Sequence, residues 1–265
     1  MLSLETEKQL RAVQKLSFCY LCGDFIDSGD VTNRDHVPPK SCFTHDDRRS
    51  PLILRAHKRC NDARTATDET MGQFFSSLTN TIVTEENLKV KFEKFNHSDL
   101  RLAQGAFTNV NVYGEIERWV QAFHAALYRE PCSPQTYFGI QTPIPLVVPT
   151  EIGPKVDKFR PMHFLFVGMI KRNRAVRNID KIICYNGKVT YECVWKYTEE
   201  DNAWHCIFAI DFHNWGRLGK ALKFEAHGCT GHYRLPSREV PTMAAKATEL
   251  IFPYSNFDLS NPFGN

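Results

Sequence analysis

The chain has 265 residues and a mass of 30.5 kDa, long enough for one large domain or two modest ones around an ordinary core. Its 42% hydrophobic and 24% charged residues exclude a disordered, collagen-like or coiled-coil chain. The 33 Lys and Arg against 30 Asp and Glu leave only +3, too little for a polycation that coats nucleic acid or lipid indiscriminately, so any basic surface is local.

The N-terminal run MLSLETEKQLRAVQK has no apolar signal-peptide core, and no stretch approaches the roughly 18 apolar residues of a membrane helix. The expectation is a cytoplasmic protein without membrane contact. Leu10, Val13 and Leu16 recur at helical spacing and predict a short helix from Glu5 to Leu16. From Phe18 to Asp68 periodicity is lost and turn residues dominate, with few apolar positions to bury. Met71, Phe74, Phe75 and Leu78 predict a helix leaving that region, whereas Glu85 to Phe107 is open between helix and strand.

Ile116, Trp119, Val120, Phe123 and Leu127 predict an amphipathic helix stopped by Pro131, with Trp119 and Phe123 in the core. The proline-rich run from Pro131 to Pro161 reads as an extended connection and a boundary. Beyond it, His163 to Ile170 is predicted as a strand. Lys181 to Tyr185 and Lys188 to Tyr197 read as a hairpin turning at Asn186-Gly187, and Ala203 to Phe212 as a further strand. The fold class is α+β: a first domain over residues 1–80, a helical connecting segment over 81–130 and a mostly antiparallel β-rich domain over 131–265.

The nine cysteines, from Cys19 to Cys229, are an odd number and argue against a secreted disulfide framework. Cys19 and Cys22 form one Cys-x-x-Cys knuckle and His57 and Cys60 a second, 34 residues further on. Two such knuckles supply four soft or borderline ligands to one tetrahedral ion, the donor set of a structural zinc. A segment poor in apolar residues needs such a staple. Cys42 is a spare candidate ligand. The C-terminal His205, His213, His227 and His232, with Cys206 and Cys229, have irregular separations and read as sheet and loop residues.

Between the knuckles lie Asp35 and His36, and directly after the last ligand comes Asn61. Adjacent residues on a strand point to opposite sides, so the pair offers a carboxylate to a cation and an imidazole to water. Cys-x-x-Cys, Asp-His-Val-Pro-Pro, Leu-x-Leu, His-x-x-Cys-Asn and then Arg64 together resemble the HNH nucleases, the ββα-metal or His-Me finger group, over residues 17–75.

The resemblance implies a zinc-stapled ββα-metal module in which His36 is the general base and Asp35 and Asn61 hold a catalytic magnesium or manganese ion. The reaction it implies is hydrolysis of nucleic-acid phosphodiesters, DNA before RNA. Appended to a sheet domain, such a module is similar to bacterial and phage nucleases, including restriction and antiviral defence effectors; because a nuclease with no visible brake would harm its host, control by a regulatory protein, a guide or a ligand is a separate expectation. The loop asparagine of the family has no clear counterpart here; Ser50 stands near its place, followed by Pro51. Asp68, Glu69 and His45 are secondary candidates for the metal or for acid–base work.

From Arg34 to Arg64, eight Lys and Arg face four Asp, a surplus of four that exceeds the whole chain's. Phosphate is the obvious partner, with Arg34, Lys58, Arg59 and Arg64 as backbone contacts. A second run, Lys171, Arg172, Arg174, Arg177 and Lys181, reads as a solvated loop. The competing reading is a non-catalytic zinc-binding adaptor for nucleic acid or protein, and an RNase would use the same site.

Overall fold

A computed structural model describes residues 1–78, 91–96, 103–108, 112–132, 137–141, 166, 168–198, 203–215 and 222–231. Strand β1 (Ser3–Leu4) precedes α1 (Glu7–Ala12). This helix begins at Thr6, whose hydroxyl accepts from Gln9 N while the Gln9 side chain accepts from Thr6 N. That reciprocal cap satisfies two free donors and sets the start two residues later than the apolar spacing predicts.

Strands β2 (Thr32–Val37) and β3 (Leu52–His57) form an antiparallel two-stranded hairpin, and α2 (Lys58–Asp62) follows β3 without a loop. The register pairs Arg34 with Arg55, Asp35 with Leu54, and His36 with Ile53. Helix α3 (Thr65–Leu78) leads away. Strands β4 (Lys91–Asn96) and β5 (Ala103–Thr108) form a second hairpin, so the segment 81–130, expected to be helical, is helical among the described residues only from α4 (Val112–Tyr128) onward.

The remaining strands are β6 (Tyr137–Gln141), β7 (Asp180–Cys184), β8 (Val189–Thr198), β9 (Ala203–Trp215) and β10 (Leu222–Gly231). With β1 they make a six-stranded sheet in the order β1-β7-β8-β9-β10-β6, antiparallel except where β1 lies parallel to β7. The mixed α+β architecture expected from sequence is present. Part of the proline-rich run, residues 137–141, is an end strand paired to β10. Residues 133–136 and 142–161 of that run, and His232, lie outside the described residues.

The predicted strand His163 to Ile170 is replaced by helix: residue 166 and α5 (168–175) are helical. Phe166, Met169 and Ile170 are buried while Gly168 is exposed, a spacing of three and four that a short apolar run does not distinguish from a buried strand. The turn at Asn186-Gly187 is four residues long, since Cys184 pairs with Val189. Tyr185, Asn186 and Gly187 all take positive φ, at 52°, 53° and 81°.

Alternation along the central strands sorts the core onto two faces. Tyr191, Cys193 and Trp195 of β8 and Cys206, Phe208, Ile210 and Phe212 of β9 join a core that continues through α4 to Leu10, Phe18, Val37, Leu52 and Leu54. Val194, Ile207 and Ala209 meet Phe166, Met169 and Ile170 on the other face. Trp119 and Phe123 are fully buried, as expected of core positions. Phe43 joins the hairpin region to the sheet, its ring stacked on Tyr185 at 3.9 Å and facing Phe212 at 6.1 Å. No helix among the described residues is long and apolar enough to cross a membrane.

Candidate metal centre and basic hairpin face

The two knuckles converge. Cys19, Cys22, His57 and Cys60 each place one donor atom within 4.8 Å of the other three. The first knuckle folds as a tight turn, with Gly23 N donating to Cys19 O at 2.7 Å. Gly23 takes φ +82°, a left-handed conformation that a Cβ would strain. The second knuckle straddles the β3–α2 junction, where His57 N lies 3.4 Å from Cys19 Sγ and its Nδ1 lies 3.4 Å from Cys22 Sγ. Three sulfurs and one imidazole nitrogen converging in this way suit one tetrahedral zinc ion, and they leave no place for a substrate on it.

The other ring nitrogen of His57 reveals a residue that sequence reasoning missed. Nε2 lies 3.3 Å from Asp30 Oδ2, and Asp27 N donates to the same oxygen at 2.8 Å. A carboxylate behind a ligating histidine fixes its ring orientation and raises its basicity. Nothing in the turn-rich run from Gly23 to Asn33 separates Asp30 from Asp24 or Asp27 by sequence. Cys42, the spare candidate, is buried in the core outside this group.

Strand pleating sends Asp35 and His36 to opposite faces of the hairpin. Asp35 is 3% exposed, takes a hydrogen bond from the Tyr20 hydroxyl and lies 3.9 Å from Arg118 Nη1. Arg118, on α4, also pairs with Asp68 and stands 2.7 Å from Glu115. The Glu115 contact is an ion pair without hydrogen-bond geometry, and Arg118 Nε and Nη1 find no acceptor among the described residues. Burial raises the pKa of Asp35, Asp68 and Glu115, opposed in each by the Arg118 charge. Burial also works against the guanidinium, but Tyr20, Glu115, Asp68 and Asp35 together outweigh it and raise its pKa.

His36 faces outward beside Arg34, half-buried, with Lys40 and Arg48 near. Burial lowers its pKa first, and the charges of Lys40, Arg34 and Arg48 lower it further. Both effects favour the uncharged imidazole on this cationic surface, the form a general base requires. Across the hairpin, Arg55 adds a further cation to this face, its Nε donating to Thr32 Oγ1 at 3.0 Å.

Asn61 donates to Asn33 Oδ1 at 2.8 Å, on the strand face that carries Asp35. The structure thus brings the four staple residues together, and it brings Asp68 to Asp35 through Arg118. It does not join Asp35 and Asn61 in a cation site. Tyr20 and Arg118 both engage Asp35 Oδ2, and a buried carboxylate beside a guanidinium does not fit a magnesium or manganese ion as it stands, whereas Asn61 uses only its Nδ2 on Asn33 and keeps its Oδ1.

Of the expected phosphate contacts, Arg34 and Arg64 are exposed, Lys58 pairs with Asp62, and Arg59 lies 4.0 Å from Asp24. His45 is exposed, its Nδ1 3.6 Å from Asp46 Oδ1. In the second basic run, Arg174 makes hydrogen bonds of 3.0 and 3.1 Å to Glu192, and Lys181 lies 3.3 Å from Glu5. A scan against protein-family models, a search of the curated proteins and a search of the solved structures each return no match.

Proposed function

We propose that this chain is an HNH-type endonuclease that hydrolyses nucleic-acid phosphodiesters, DNA before RNA, with His36 as the general base and a zinc ion as the structural staple. The observation that carries the reading is the outward-facing imidazole of His36 on a hairpin face lined by Arg34 and Arg55, next to a Cys3His grouping that fits zinc. The β2–β3 hairpin followed at once by α2 supports a ββα-metal module. Arg34, Lys40 and Arg48 supply positive charge where a phosphate would meet His36; His36 takes the proton of the water that attacks phosphorus, the bond to the 3′ oxygen breaks, and that oxygen takes a proton from solvent. Such positioned cations stabilise the charge that grows on phosphate oxygens in the transition state. No step is assigned to magnesium or manganese, because the Asp35 carboxylate is engaged by Arg118.

The test is digestion of supercoiled plasmid, linear duplex, single strands and RNA, each without added metal and with magnesium or manganese. Nicking or cleavage by the wild type is expected. His36→Ala is expected to lose on the order of 10²- to 10⁴-fold in rate, the contribution of a positioned general base, with unchanged zinc content. Full activity of His36→Ala removes this histidine from the mechanism. The Asp35–Arg118 ion pair favours a second reading, a non-catalytic zinc-stapled module whose basic face holds nucleic acid. Salt-sensitive binding without cleavage in any arm of the panel decides for it.

A further inference from the structure

A second group of metal-ligand side chains, separate from the staple, lies in the core. His124 of α4, Cys193 of β8 and Cys206 of β9 are all fully buried, and their donor atoms lie within 4.8 Å of one another. Neither strand spacing nor a knuckle links them. Register does: Cys193 pairs with Phe208 and Cys206 with Trp195, so the two thiols are diagonal neighbours on the face that α4 covers.

We propose that His124, Cys193 and Cys206 bind a second zinc ion within the core, with the Tyr191 hydroxyl as an oxygen donor completing four-fold coordination. His124 Nε2 lies 3.4 Å from Cys206 Sγ and 2.7 Å from Tyr191 Oη, while Nδ1 faces Cys132 Sγ at 3.8 Å. A proton on Nδ1, directed at Cys132, leaves the Nε2 lone pair on the side of Tyr191 Oη and Cys206 Sγ. That is the arrangement of a ligating histidine whose far nitrogen is held by a partner.

Charge selects the ion. Two thiolates and one Zn²⁺ sum to zero, whereas Cu⁺ with the same thiolates leaves a net negative charge in an apolar core, which is costly. Binding sends both thiol protons to solvent, and the full burial of the group means that the ion enters as the chain folds. The site is independent of the proposed nuclease activity.

The experiment is zinc analysis of the purified full chain by mass spectrometry. Two ions per chain are expected, falling to one in Cys60→Ser and to one in Cys206→Ala. Because a core cysteine variant can fail to fold, the wild-type protein is also reconstituted with cobalt, whose sulfur charge-transfer band grows with the number of bound thiolates. Five thiolates per chain over two ions are expected, three from the staple and two from the core. One ion per chain, or a cobalt band of three thiolates, overturns the proposal, as does Cys206→Ala protein that keeps both ions.

Discussion

At the scale of single residues, the most consequential group is the Arg118 guanidinium. It is 2% exposed and set among Asp35, Asp68 and Glu115. Removing one member of such a cluster leaves the others as uncompensated buried charge, at a typical cost of about 3–5 kcal/mol. Arg118→Met is expected to destabilise the protein by that order in urea unfolding at pH 7.5. The sign of its pH dependence follows from the three carboxyls. Their pKa values are already raised above 3.8, 3.8 and 4.5 by burial, so the folded state holds protons that the unfolded chain has released. Stability falls as pH rises through that window. Without the guanidinium the folded pKa values rise further, and the deficit of the variant is expected to shrink at pH 5.5. A deficit that grows on acidification contradicts the assignment. Glu115 and Arg118 are legible in retrospect as an i,i+3 charged pair beside Trp119, on the apolar side of a helix. Asp30 carries no comparable signal.

At the scale of elements, legibility followed period and length. Helix α4 has five apolar residues at helical spacing over three turns and was readable within a few residues of its observed ends. Strands β8 and β9 announced themselves by apolar runs, and the knuckles by spacing alone. The helix over 168–175 did not, because a short apolar run satisfies either period. Nor did the core His-Cys-Cys group, whose members meet only through strand register and helix packing.

The loop ahead of β3 is an intermediate case. Ser50 adopts φ 51°, a left-handed conformation that asparagine tolerates better than serine. Its carbonyl accepts from Tyr185 N at 2.9 Å, tying the loop to the sheet. Ser50→Asn is expected to relieve strain and stabilise by about 0.5–1 kcal/mol, read as a rise in Tm of about 1–4 °C. A fall in Tm means that the serine side chain does something there that asparagine cannot.

At the scale of the whole molecule, the stapled hairpin and the sheet share one buried core. Phe43 stacks on Tyr185, and the Tyr185 hydroxyl donates to Pro38 O at 2.5 Å, crossing from the sheet to the end of β2. At the far end, Asp180 accepts from Leu2 N at 2.5 Å and from the Tyr128 hydroxyl at 2.8 Å, while Trp195 Nε1 donates to Tyr128 at 2.7 Å. These bonds draw the N-terminus, α4 and the sheet into one polar network, fully buried apart from its chain terminus. A zinc ion held by Cys19, Cys22, His57 and Cys60 would therefore support both halves, since a structural ion stabilises whatever folds with it. Thermal unfolding is expected to show one midpoint, shared by the near-UV signal of the four tryptophans and by zinc release to a chromophoric chelator. Cys60→Ser is expected to lower that midpoint for the tryptophan signal too. Zinc release complete before the tryptophan signal moves would mean that the hairpin opens on its own, and that Phe43 and Pro38 do not couple it to the sheet.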